Sequence, residues 1–433
     1  MSTSGAQAIL GQGGKTKLNR DQITGFLAAW FGWILDGMDA FIYALVLGPA
    51  LTELLPKSGY AANTENIGFF GSIMFALFLI GWGMAFLWGP IGDRFGRTRT
   101  LAATIIVYSI FTGAAAFAQD IWQLAVFRLL AGLGVGGNWA ISGTYVAEML
   151  PEDRRKFFGG VLNAGFYVGF FIASALNLTI GASYGWRPMF LCGFLPVVIA
   201  LCALYLLKEP ERWIRQAQTA KRLNQLAAIF RAPYLGRTLV MTGLLSASII
   251  GLWAGSVYAP TAIRILSTNT GMNAVEATRI ASYGAALFSI MTIIGNLILP
   301  YFAERFGRRI TQAVYFAGML VGIVLAFGWA FYLPNGLVPF LVILVMLGLA
   351  GGNFAMYNIW LPELYPTTVR ATAFAFAISF GRFVAAGVNF LLGALIRDMG
   401  TLGIPIALTA IAMALGLVLL PFAIETKGQK LPE

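Results

Sequence analysis

The sequence predicts an all-α integral membrane protein with twelve transmembrane helices in two six-helix parallel repeats. Three observations predict it. Of the 433 residues, 58% are hydrophobic and only 11% are charged, whereas an ordinary soluble domain carries roughly 25% charged residues. Apolar stretches recur near the ~20 residues that a helix needs to cross a bilayer. Motifs of the first half also return in the second at a nearly constant offset.

Residues 1–22 are polar and glycine-rich, carry Lys15, Lys17 and Arg20, and lack a small-residue cleavage site after a short apolar stretch. This predicts a cytoplasmic tail rather than a signal peptide. Twelve apolar segments follow, at about 23–49, 67–88, 100–118, 121–146, 158–180, 187–207, 238–262, 280–300, 311–332, 337–360, 371–394 and 402–422. An even number of crossings leaves both termini on one side of the bilayer. The basic residues say which side: 22 lie on the side of the tail, against 5 on the other, namely Lys57, Arg187, Arg264, Arg279 and Arg397. Both termini are therefore expected in the cytoplasm, with the chain multi-pass in the cell membrane. The net charge of +11 is a topology signal, and no nucleic-acid partner is needed to explain it.

The longest polar connection, 208–237, falls between the sixth and seventh segments and predicts a cytoplasmic linker with an amphipathic helix on the membrane surface. It divides a bundle at 23–207 from one at 238–422, followed by a short tail at 423–433. The two bundles duplicate each other. GGNWA at 136–140 followed by Glu148, Pro151 and Arg155 returns as GGNFA at 351–355 followed by Glu363, Pro366 and Arg370, each 215 residues on. DRFGR at 93–97 returns as ERFGR at 304–308, 211 residues on.

Histidine is absent, which excludes Ser-His-Asp catalysis, histidine-ligated metals and imidazole proton shuttles. Cys192 and Cys202 share one apolar run, about 15 Å apart on a helix and too far for a disulfide. No nucleophile or metal cluster is evident, so an enzyme is not expected, nor a cofactor.

Equal six-helix halves describe a rocking transporter with its site at the midplane between them. Ionisable groups inside the membrane cost at least ~2.5–3.5 kcal/mol each on insertion scales and mark function. The first span holds Asp36 and Asp39, whose i, i+3 spacing puts both carboxylates on one face. Arg128 in the fourth span and Arg382 in the eleventh are the basic residues within apolar runs. Helix rise puts Asp39 and Arg128 roughly 10–15 Å inside the outer face, and Asp36 and Arg382 about 17–20 Å from the cytoplasmic ends. Asp39 is thus expected to face Arg128, and Asp36 to share a central cavity with Arg382. A permanently charged guanidinium, whose planar fork fits a carboxylate, predicts an anionic substrate; the alternative is a structural partner for Asp36. Further polar or stacking contacts are expected from Asn138, Tyr145, Tyr167, Asn177, Trp253, Tyr258, Asn353, Tyr357 and Asn358.

These residues meet a known family. GPIGDRFGRTR at 89–99, with its copy at 301–309, closely resembles the loop between the second and third helices of the major facilitator superfamily. RLLAGLGVGGNWAISGTYVAEMLPEDRR at 128–155 and PELYPTTVRATA at 362–373 resemble two further signatures of it. The resemblance implies that Asp93, Arg94 and Arg97 belong to a cytoplasmic latch that closes the two halves in the outward-open state. Gly89, Gly92 and Gly96 permit its tight turn, and Glu148, Arg155, Glu304, Arg305, Arg308, Glu363 and Arg370 supply complementary charges. WILDGMDAFIYALVL at 33–47 resembles the Asp-Gly-Phe-Asp element of sialate, monocarboxylate and aromatic-acid proton symporters, with Met38 in place of the usual aromatic. The seventh span lacks the His- and Gln-containing signature of fungal lactate permeases.

The expected function is import of a small organic carboxylate with protons by a functional monomer. Asp36 and Asp39 would load protons, Arg128 would compete with the proton for Asp39, and Arg382 would hold the anion. Two rivals are a proton-independent facilitator of neutral sugars or polyols, disfavoured by few Gln residues in the spans, and a non-transporting sensor or scaffold, for which no large soluble segment is present.

Overall fold

The computed structural model describes residues 18–206 and 225–429. Most of the expected tail at 1–22 and linker at 208–237 lies outside the described residues, as do the side chains of Asp93, Arg97, Tyr145, Glu148 and Arg155. The crossings are α1 (Arg20–Lys57), α2 (Thr64–Gly83), α3 (Arg97–Ala114), α4 (Ile121–Met149), α5 (Glu152–Leu176), α6 (Leu195–Leu206), α7 (Leu235–Asn269), α8 (Ala274–Phe306), α9 (Arg308–Ile323), α10 (Leu337–Gly351), α11 (Thr367–Met399) and α12 (Ala410–Leu419). Ten helical stretches among the described residues are long and apolar enough to cross a membrane. The 29-residue α4 and a broken sixth crossing, which starts at Trp186–Leu191 and resumes in α6, complete the twelve.

Helix starts follow local chemistry. Asn19 caps α1 in a reciprocal box with Gln22, and Asn273 caps α8 in the same way with Glu276. Asp120 accepts from the first turn of α4. Pro151 and Pro366 precede α5 and α11, in line with the 215-residue offset.

The repeat is visible in the backbone. Gly59, Gly96 and Gly185 have φ of 84°, 102° and 87°, and their counterparts Gly271, Gly307 and Gly400 have 88°, 91° and 65°. The same three connections in each half therefore turn through a left-handed glycine, a conformation that a Cβ makes costly.

Within the first half, α1 packs against α5 at backbone distance. A Cβ at Gly37 would run into the Phe166 carbonyl, and one at Gly169 into that of Ile34. Between the halves, Asn163 Nδ2 donates to Asn296 Oδ1 at 3.2 Å and Asn177 Nδ2 to Ser282 Oγ at 2.9 Å, both along the α5–α8 seam. Along the α2–α11 seam, Gly393 faces the Phe69 carbonyl. Rings fill the middle: Trp253 of α7 lies 5.2 Å from Phe75, 5.6 Å from Trp82, 6.1 Å from Phe170 and 6.3 Å from Phe166.

Candidate functional site

Asp36 and Asp39 are both fully buried, one turn apart on the face of α1 that meets α3 and α4. Asn138 Nδ2 donates to Asp36 Oδ2 at 2.7 Å, and the Asn138 carbonyl oxygen accepts from Ser142 at 3.0 Å. Asp36 is therefore met by an amide of the fourth crossing. Tyr108 approaches Asp36, and Thr112 approaches Asp39, each short of a formed hydrogen bond.

Arg128 is the cation whose charge acts on Asp39, as helix rise predicts. The two do not touch. Both Asp39 oxygens and all three Arg128 guanidinium nitrogens are buried without a hydrogen-bond partner. The guanidinium instead lies between two rings, 4.4 Å from the centre of Tyr43 and 4.3 Å from that of Phe78. Tyr43 is fixed by donating to the Gly71 carbonyl at 3.0 Å. Opposite charges held near each other without hydrogen bonds are expensive in a dry interior.

Arg382, 4% exposed, lies over the ring of Trp82 at 4.2 Å. Trp82 and Trp253 meet edge to face here, so the arginine borders the aromatic middle of the molecule. Trp82 Nε1 is buried without an acceptor. Tyr258 closes the neighbouring part of the interface: its hydroxyl is 2.8 Å from Ser72 Oγ and donates to Asn389 Oδ1 at 3.0 Å. Tyr167 is buried against Phe166 and Phe170.

Three expected contacts do not join this cluster. Asn353 donates to the Ala350 carbonyl and to Met319 Sδ. Tyr357 is tied to the Leu244 carbonyl, Ser248 and Gln312. Asn358 is exposed. The Asn353 amide N–H and the Tyr357 hydroxyl thus find their partners within the second half, while Asn353 Oδ1 is buried without one. Tyr43, Phe78, Trp82, Ser72 and Asn389 were not anticipated. The i, i+4 spacing of Phe78 and Trp82 on α2 was the available signal, but it is shared by packing rings.

At the helix ends that carry the ERFGR motif, Arg308 is the hub of a cluster. It donates to Glu363 through Nε at 3.0 Å and Nη2 at 2.7 Å, and to Glu304 at 2.8 Å. Thr426 also donates to Glu363, at 2.6 Å. Burial pushes the Glu425 carboxyl up, but backbone N–H groups of Arg308, Arg309, Lys427 and Thr426 outweigh it and hold the group below the usual carboxylate range. Arg370 donates to the Tyr365 carbonyl, and Arg305 and Arg94 lie beside Phe306 and Phe95. The ion pairs of Arg308 thus stay within the second half in this conformation, where a latch between halves was expected. The side chains of Asp93, Arg97, Glu148 and Arg155 lie outside the described residues.

A family model described as "Major Facilitator Superfamily" matches residues 26–386. A "Probable 4-methylmuconolactone transporter" of Cupriavidus pinatubonensis is 30% identical over 415 residues, 93% of this chain and 90% of its own. A "Cis,cis-muconate transport protein" of Acinetobacter baylyi is 29% identical over 83% of this chain and 84% of its own, and a "Gentisate transporter" of Corynebacterium glutamicum is 25% identical over 87% and 81%. Among solved structures, "Crystal structure of D-xylose-proton symporter" superposes with a TM-score of 0.76 at 21% identity, over 95% of this chain and 100% of that one. That likeness speaks to the fold alone.

Proposed function

Because the chain belongs to the Major Facilitator Superfamily, we propose that it is a transporter that imports a small organic carboxylate together with protons. The observation that carries this reading is the buried, unbonded pair of Asp39 and Arg128. When Asp39 is ionised, the pair closes and Arg128 leaves its rings. When Asp39 takes a proton from outside, the attraction ends and Arg128 returns to Tyr43 and Phe78. Asp36, held by Asn138, is the second proton carrier beside it. Protonation and pairing exclude each other, so each favours a different packing of the halves, as alternating access requires.

Arg382 is the anion-binding residue in this reading. It is buried in the second half at the aromatic middle, where a carboxylate would meet a bidentate donor in a low-dielectric setting. Three relatives named for muconolactone, muconate and gentisate transport support a carboxylate or its lactone over a neutral sugar. The charge distribution supports both termini in the cytoplasm of a cell-membrane protein, and two complete halves in one chain support a functional monomer. The division at 208–237 and the latch at the cytoplasmic loops complete the proposal.

The reading is tested by thermal shift of purified protein with a panel of carboxylates and sugars at pH 5.5 and 7.5. A carboxylate should raise Tm by mass action, and Arg382→Lys should lose most of that shift. Stabilisation by sugars but by no carboxylate would replace the reading with the facilitator.

A further inference from the structure

The proton site and the anion site are joined by two rings. Phe78 and Trp82 stand one turn apart on α2, and their rings meet edge to face at 5.6 Å. Phe78 stacks on Arg128 at 4.3 Å, and Trp82 stacks on Arg382 at 4.2 Å. Both rings are buried, at 0% and 3% exposure. The sequence cation, ring, ring, cation therefore runs from the first half of the molecule to the second. Trp82 has one more property: its indole N–H is buried without an acceptor, beside the residue proposed to hold the anion.

We infer that Phe78 is a positioning residue that transmits the state of Asp39 to the anion site, and that Trp82 contacts the transported anion through Nε1–H. The inference rests on the reading above and goes beyond it by naming the connection. Its physical basis is packing. A guanidinium that leaves Phe78 to pair with Asp39 vacates one ring face in a close-packed interior. Phe78 fills that space, and Trp82, in edge contact with it, shifts over Arg382. The anion site is then differently shaped and differently desolvated in the two protonation states. Reciprocity requires that bound anion bias Asp39 equally. The orphan N–H of Trp82 adds a second donor to the arginine fork, which favours a carboxylate held by an arginine and an indole together.

The test measures half-saturation for cis,cis-muconate uptake into proteoliposomes at pH 5.5 and 7.5. In the unaltered protein it should fall about 10-fold on acidification, within the usual range of coupling between sites. Asp39→Asn gives the uncoupled reference. Phe78→Leu should flatten the pH dependence to about 2-fold or less, and Phe78→Tyr, which keeps the ring, should restore it. Trp82→Phe should weaken half-saturation at both pH values by about 10- to 100-fold, the effect of one lost hydrogen bond to a charged group, while keeping the pH dependence. Trp82→Leu should lose both. Monodispersity of each variant on size exclusion separates misfolding from uncoupling. A Phe78→Leu protein with the full pH dependence would overturn the transmission role, and a Trp82→Phe protein with unchanged half-saturation would overturn the contact. If the unaltered protein shows no pH dependence, or does not take up muconate, the proton-coupled carboxylate reading falls first and the connection with it.

Discussion

Asn138 Nδ2 donates to Asp36 Oδ2 at 2.7 Å, joining the fourth helix to the first at a point where both are fully buried. The asparagine belongs to the GGN motif whose copy carries Asn353, yet Asn353 bonds to its own helix and to Met319. Both copies of the motif asparagine are bonded, and only the first-half copy meets an acid.

Asn138→Ala should therefore destabilise the protein through the carboxylate it leaves without a donor. The cost expected for a buried, newly unsatisfied group is about 1–3 kcal/mol, read as a lower Tm. Asn353→Ala should lose contacts to a carbonyl and a thioether, neither of them charged, and fall less.

Gly37 and Gly169 set how closely α1 and α5 approach. Alanine at either would meet a carbonyl of the other helix, and backbone cannot move aside as a side chain can. Each substitution should cost about 1–3 kcal/mol or more by overpacking, seen as loss of the monodisperse peak or of thermal stability. Gly48→Ala, which meets nothing within contact distance, is the control.

Arg308 has a side-chain exposure of 4% and Glu363 of 12%, so the pair is partly shielded and held through two hydrogen bonds. Glu363→Gln should leave Arg308 with the exposed Glu304 alone, costing about 3 kcal/mol as broken buried pairs do. Arg308→Lys should lose the bidentate grip and also lower Tm, by less.

Glu425 gives a pH-dependent term beside Arg308. Its folded pKa is depressed, because four backbone N–H donors outweigh the burial that would raise it. A depressed carboxyl contributes stability that is present above its unfolded pKa and is lost as pH falls through the lower folded value. Tm should thus decline on acidification below the ordinary carboxylate range, and Glu425→Gln should flatten that decline. An equally steep decline in the variant would remove the role.

Much of this was legible in the sequence for a simple reason. Membrane insertion penalises every ionisable residue, so Asp36, Asp39, Arg128 and Arg382 stand out of their apolar surroundings. The repeat was legible because left-handed turns at Gly96 and Gly307 admit few other residues. Which way a polar side chain points was not legible: Tyr357 and Asn358 are neighbours, and one is buried among its own helices while the other is exposed. The ring pair Phe78 and Trp82 was hidden among 34 Phe and 11 Trp, most of which do nothing beyond packing. The partners of Arg308 were hidden for another reason, since ion pairs within one half and between halves use the same charges.

The central claim is that proton transfer at Asp39 drives carboxylate entry. It is tested most directly by adding cis,cis-muconate to proteoliposomes in lightly buffered medium and following external pH. The account predicts alkalinisation outside with the unaltered protein, and none with Asp39→Asn, which should still exchange external for internal muconate. Uptake that proceeds without alkalinisation and is unaffected by collapse of the pH gradient would contradict it.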